Sequence, residues 1–206
     1  MNFTNMIIWF ARLFISIYYK SGLYSLWSKT YQFIWEYKRT PLKEFNNIEE
    51  LATYMYKLKW RPDTWKELWD ATSHPEHVQW LADNEPSHFI GDCEEFAIYI
   101  ATVVDTQLSC SGCCANWKFI GADMLTVMWY TPKTEENGRW SVGGHNVALI
   151  KNANGSFSYM DYGVPSWPRH TIDEVIHDVM QSCAKDSILL SHAIHDIHLN
   201  LVKFTN

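Results

Sequence analysis

The stretch GDCEEFAIYIATVV, Gly91 to Val104, carries the reading of the fold. From Phe96 to Val104 only Thr102 is distinctly polar. A helix that is apolar on every face must be enclosed by the rest of its domain, so the stretch predicts a central buried helix. Cys93 then falls in its first turn, where unpaired backbone N–H groups and the helix dipole favour an anion. Glu94 and Glu95 oppose that effect if they face the sulfur, and a histidine partner is the natural remedy.

Downstream lie segments of strand character: NWKFI, LTVMWY, HNVALI and SFSYMD. The last two are separated by KNANG, a polar stretch with the Asn-Gly signal of a hairpin. GVPSWPRH, with two prolines, reads as a loop. Thr171 and Glu174 in TIDE form a capping box that opens a helix to about Ser182. A last strand is expected over IHLNLVKF. Upstream, two or three helices are expected as far as about Leu58, with Asn47 capping one that starts at Ile48. The Pro-, Trp- and Asp-rich segment from Trp60 to Ile90 reads as irregular, with short helical turns. The expected architecture is α+β, a buried helix against an antiparallel sheet.

Within the hairpin, His145 follows two glycines and Asp161 comes sixteen residues later. A turn over Asn152 to Gly155 sets the two across from one another on adjacent strands. Asp161 could then accept Nδ1–H of His145 and aim the other nitrogen at Cys93. The backbone N–H of Cys93 suits a developing oxyanion. A second donor is expected from the preceding segment, with Gln79 and Trp80 as the side chains to consider. Trp80 reads equally well as core filler.

Composition bounds the alternatives. The 206 residues are 47% hydrophobic and 19% charged, enough for a real core in one domain with an appendage. A net charge of −6 with no Lys/Arg stripe argues against nucleic acid as a partner. The five cysteines, an odd number, and the lack of a secretory signal point to a reducing, cytoplasmic compartment. CSGCC, Cys110 to Cys114, has one metal-like spacing but no second ligand pair, so neither a metal nor a cofactor is expected. In SHAIHDIH, a strand would point His195 away from His192 and His198. Residues 6–19 are apolar but too short to span a bilayer, and Arg12 interrupts them. Met6, Phe10, Leu13, Phe14 and Ile17 share a helical face. That face suits docking on the domain itself, a protein partner, or peripheral contact with a membrane surface.

GDCEEFA, then GGHNVALI, then YMDYG together resemble the transglutaminase-like cysteine proteinases of bacteria and their phages. WRPD, LWD and HPE upstream also match that group in order. The resemblance spans residues 46–206 and leaves residues 1–45 as a helical N-terminal extension. It implies a papain-like or transglutaminase-like fold with Cys93 as nucleophile, His145 as base and then acid, and Asp161 as orienter. The implied activity is a thiol-dependent peptidase or amidase acting on a peptide or other amide-containing substrate. Transamidation by the same thioester, and a non-catalytic protein in an assembly, are the alternatives.

Overall fold

The computed structural model describes residues 3–36, 38–60, 71–85, 87–109, 118–133 and 138–206. The fold is α+β. Six antiparallel strands form one sheet in the order β6-β5-β4-β3-β7-β8. Their ranges are β3 Phe119–Thr131, β4 Ser141–Asn152, β5 Phe157–Asp161, β6 Val164–Pro165, β7 Ile188–His195 and β8 Leu201–Thr205. A short parallel pair, β1 (Lys59–Trp60) and β2 (Phe89–Gly91), leads into the central helix α5, Cys93–Val103.

Helix α5 is buried as its composition requires, every residue from Glu94 to Val103 being enclosed. It ends in a single π turn, Val104–Leu108. One face of the sheet meets α5 through Ala122, Ala148, Ile150 and Met160. The same cluster takes in Leu51 and Met55 of α3 (Ile48–Met55) and Val78 of α4 (Pro75–Asn84). Strand alternation sends Leu125, Val127, Val147 and Leu149 to the other face. There they pack on Val175, Ile176 and Val179 of α6, Ile172–Cys183.

The local signals at two helix starts are realised. Asn47 accepts the Glu50 N–H at 2.8 Å, and the Thr171–Glu174 capping box is complete. Three expectations are corrected. His74 to Asn84 is no set of irregular turns, because Pro75 starts a regular ten-residue helix, α4, capped by His74. The segment between Phe119 and Thr131 is one long strand, since Gly121 absorbs an irregularity in register that keeps the ladder running. The last strand is shorter than IHLNLVKF: Asp196 caps a turn by accepting N–H groups from His198 and Asn200, β8 starts only at Leu201, and a further strand, β7, precedes the turn. NWKFI lies partly, and CSGCC wholly, outside the described residues.

Helices α1 (Phe3–Lys20) and α2 (Leu23–Trp35) bind the sheet through Tyr19 and Tyr24, which share a cluster with Ala97, Ile98 and Ala193. Arg12, the residue that interrupts the apolar run, faces inward and donates to the carbonyls of Leu189 and Leu190, both at 3.1 Å. The large apolar stripe faces the other way. Met6, Trp9, Phe10, Leu13, Phe14 and Ile17 are exposed, so docking on this domain is made by the mixed face of α1 and not by the stripe. No helix among the described residues is long and apolar enough to cross a membrane.

Of the three histidines in SHAIHDIH, His192 and His195 lie on β7 and His198 in the following turn. His195 is fully buried against the rings of Tyr19 and Tyr24, and neither ring nitrogen has a hydrogen-bond partner among the described residues. Burial pushes this imidazole down to about 4. The unfolded chain therefore takes up a proton near pH 6.5 that the folded chain refuses until about pH 4. Stability is full above pH 6.5 and is lost as pH falls toward 4, by roughly 3 kcal/mol. Urea unfolding of wild type and His195→Leu across that range checks this. The variant gains on the wild type as the solution is acidified, and parallel profiles would refute the assignment.

Candidate active site

The residues of GDCEEFA each have a place in the start of α5. Asp92 is the N-cap, and its carboxylate accepts the Glu94 N–H at 3.2 Å. Glu95 closes the capping box by accepting the Asp92 N–H at 3.0 Å. Its other oxygen takes the backbone N–H and hydroxyl of Ser73, at 3.2 and 2.7 Å. Gly91 has φ +129, and a Cβ there would stand 2.6 Å from the Glu95 side chain, so glycine is needed for the carboxylate to fold back. Cys93 is thereby fixed as the first helical residue, half-exposed, with a backbone N–H for which the helix has no carbonyl.

The two glutamates, ambiguous in the sequence, divide. Glu95 turns away from the sulfur to serve the cap. Glu94 stays beside it, its Oε2 accepting from the Cys93 thiol at 3.6 Å. The Glu94 Oε1 accepts from Asn146 Nδ2 at 2.8 Å, and the same amide nitrogen lies 3.6 Å from Cys93 Sγ. Asn146 shares the α5 face of β4 with Ala148 and Ile150, and its carbonyl oxygen accepts from the Thr126 hydroxyl.

His145 Nε2 and Asp161 Oδ1 are 2.9 Å apart. The ladder pairs Ala148 with Met160, so His145 and Asp161 form a diagonal pair on one face and not a directly opposed one. That offset is spanned by the far ring nitrogen, so the expected Nδ1 contact is corrected to Nε2. Strand β5 pairs with β4 only from Ala148 to Lys151, leaving β4 open on that side at His145. The imidazole uses this opening to interact with two thiols, Cys93 on α5 and Cys183 at the end of α6.

Burial works against charge on His145, but the hydrogen bond with Asp161 and the neighbouring thiols of Cys183 and Cys93 outweigh it and push the imidazole up to about 12. The ring is therefore an imidazolium at neutral pH. The imidazole holds the Cys183 thiol below the ordinary range, against the effect of burial. The Tyr162 ring stands 5.4 Å from that of His145 and 4.9 Å from Phe96, which keeps one side of the imidazole covered. Burial, and then the neighbouring Cys93, push the Tyr162 phenol up, so it stays neutral.

The structure brings Cys93, His145 and Asp161 together but does not bring Gln79 or Trp80 to them as oxyanion donors. Gln79 is a buried connector whose Nε2 donates to the Tyr54 hydroxyl and to Asp83, at 3.0 and 2.9 Å. Both amide hydrogens are thus committed. Trp80 stacks on His77, with the Lys38 ammonium 4.5 Å from its ring. The side-chain amide that does lie beside Cys93 is Asn146, legible in the sequence only as the neighbour of His145. Cys183 carried no sequence signal at all, since it sits at the end of an amphipathic helix more than twenty residues from any other cysteine, from His145 and from Asp161. No protein-family model matches the chain, and no curated protein or solved structure matches it at a significant level.

Proposed function

We propose that the protein transfers acyl groups from an amide bond through a Cys93–His145–Asp161 triad, as a transglutaminase-like cysteine proteinase on a papain-like fold. One observation carries this reading: a single buried imidazole is bonded to Asp161 at 2.9 Å and interacts with the thiol at the first residue of α5. Cys93 Sγ attacks the amide carbonyl, and the negative charge passes to the carbonyl oxygen near the Cys93 N–H. His145 gives its proton to the departing amine as the C–N bond breaks, leaving a thioester on Cys93. Water or a second amine then attacks the thioester while His145 takes up its proton. Asp161 keeps the ring oriented and offsets the positive charge throughout.

Iodoacetamide capture of Cys93, followed by mass spectrometry, tests the pair without requiring a substrate. An ordinary thiol is only about 1% thiolate at pH 6.5, though a more acidic thiolate is a weaker nucleophile. The two effects together predict that His145→Ala slows capture at pH 6.5 by about fivefold to tenfold. Equal rates in wild type and variant would remove the imidazole from the reading.

A further inference from the structure

The acyl-transfer scheme leaves Cys183 without a task, yet this thiol sits on the same imidazole as Cys93. A ring nitrogen of His145, a carboxylate oxygen of Asp161 and Sγ of Cys183 all lie within 4.8 Å of one another. One nitrogen, one oxygen and one sulfur are the ligand types of zinc. With zinc–ligand bonds of about 2.0–2.3 Å, tetrahedral partners stand about 3.3–3.7 Å apart. His145 and Asp161 meet at 2.9 Å, so this pair has to open by about 0.4 Å while the sulfur closes on the ion. Cys183 is placed to do so, being exposed and the last residue of α6 before the chain leaves the helix.

We propose that His145, Asp161 and Cys183 form a site for a thiophilic divalent cation, Zn²⁺, that silences Cys93 by taking its histidine. Two anionic donors, the Asp161 carboxylate and the Cys183 thiolate, balance the charge of the ion. Binding displaces the thiol proton of Cys183 and the proton that His145 shares with Asp161. With the ion in place of that proton, His145 is no longer an imidazolium beside Cys93 and has no proton to give to a departing amine. Three protein ligands leave the fourth zinc position to water. The entry path is the exposed end of α6. This inference rests on the acyl-transfer reading for its consequence, but the ion site itself does not depend on activity.

The test is site-resolved iodoacetamide labelling of the full chain with and without Zn²⁺ as the sulfate. In wild type and in Cys93→Ala, zinc slows labelling of Cys183 by at least about tenfold. That protection disappears in His145→Ala and Asp161→Asn. In Cys183→Ser, Cys93 labels at its metal-free rate and zinc no longer slows it at the concentrations that protect wild type. Cobalt(II) gives a second readout: a thiolate-to-cobalt absorption band that survives in Cys93→Ala and is lost in Cys183→Ser. Protection of Cys183 that persists in His145→Ala would overturn the site, as would zinc-sensitive Cys93 in Cys183→Ser. Failure of the acyl-transfer reading registers separately, as a metal-free Cys93 rate indifferent to His145.

Discussion

On the proposed function, Cys93→Ala is expected to abolish amide turnover while the protein keeps its fold, and His145→Ala to lower it by about three orders of magnitude or more. The size follows from how the parts act. Without the sulfur there is no thioester, and without the imidazole the departing amine has no proton donor. Members of such a unit are strongly non-additive, so Cys93→Ala/His145→Ala is no worse than the worse single variant. Asp161→Asn retains a hydrogen-bonding group but not the negative charge facing Nε2, and it falls between wild type and His145→Ala. Release of new amino groups from denatured casein measures all four. In parallel, intact mass reports an acyl adduct on wild type that is absent in Cys93→Ala. Added hydroxylamine separates acceptors, because an amine-accepting thioester yields hydroxamate. Casein cleavage by Cys93→Ala at the wild-type rate would sink the proposed function. Thermal unfolding shows whether any loss comes from misfolding, which Cys93 at a half-exposed helix start gives no reason to expect.

The largest stability effect is expected at a residue that touches no substrate. Gly163 has φ +90, and a Cβ there would lie 2.8 Å from Met55 Cβ, 3.0 Å from the Tyr56 nitrogen and 3.1 Å from the Ala52 carbonyl oxygen. Two of these are backbone atoms at the end of α3, held by the packing of Leu51 and Met55 in the main core. No side-chain rotation relieves the clash, and the positive φ adds strain for any residue with a Cβ. Gly163→Ala is therefore expected to destabilise the protein by about 2–5 kcal/mol, strain and overpacking together. The same shift pushes the Asp161–Tyr162 turn away from α3 and loosens the carboxylate that orients His145. Urea denaturation measures the first effect. Iodoacetamide capture of Cys93 in the folded variant measures the second. A change under about 0.5 kcal/mol, the range of an ordinary surface substitution, would show that α3 gives way without cost.

Much of the candidate site was legible because its signals are local or follow from strand periodicity. GDCEEFA marks a helix start through an N-cap carboxylate, a capping-box glutamate and an all-apolar continuation. HNVALI, the Asn-Gly turn and SFSYMD form a hairpin whose parity sets His145 and Asp161 on one face. Which ring nitrogen meets the carboxylate was not legible. It depends on a two-residue offset that the turn's internal hydrogen bonds set, from Asn152 N–H to Ser156 and Gly155 N–H to Asn152. Gln79 shows the opposite failure. Its amide suits an oxyanion donor by type, but Tyr54, Asp83, Tyr99 and Lys43, drawn from four separate segments, consume it in the core.

The sequence alone determined the α+β class, the burial of the central helix, the position of Cys93 in its first turn and the His145–Asp161 pairing. Each rests on spacing within a helix turn or across one hairpin, over which backbone geometry is nearly invariant. Only the tertiary structure decided that Glu94 faces the sulfur while Glu95 serves the cap, and that Asn146 lies beside the thiol. It also decided that the apolar stripe of α1 points outward while Arg12 is drawn to the β7 carbonyls. Above all it decided that Cys183, thirty-eight residues beyond His145 in the chain, shares its imidazole. Such contacts depend on how α6 and α5 clasp the two faces of one sheet, and no local pattern encodes where two separate elements end against each other.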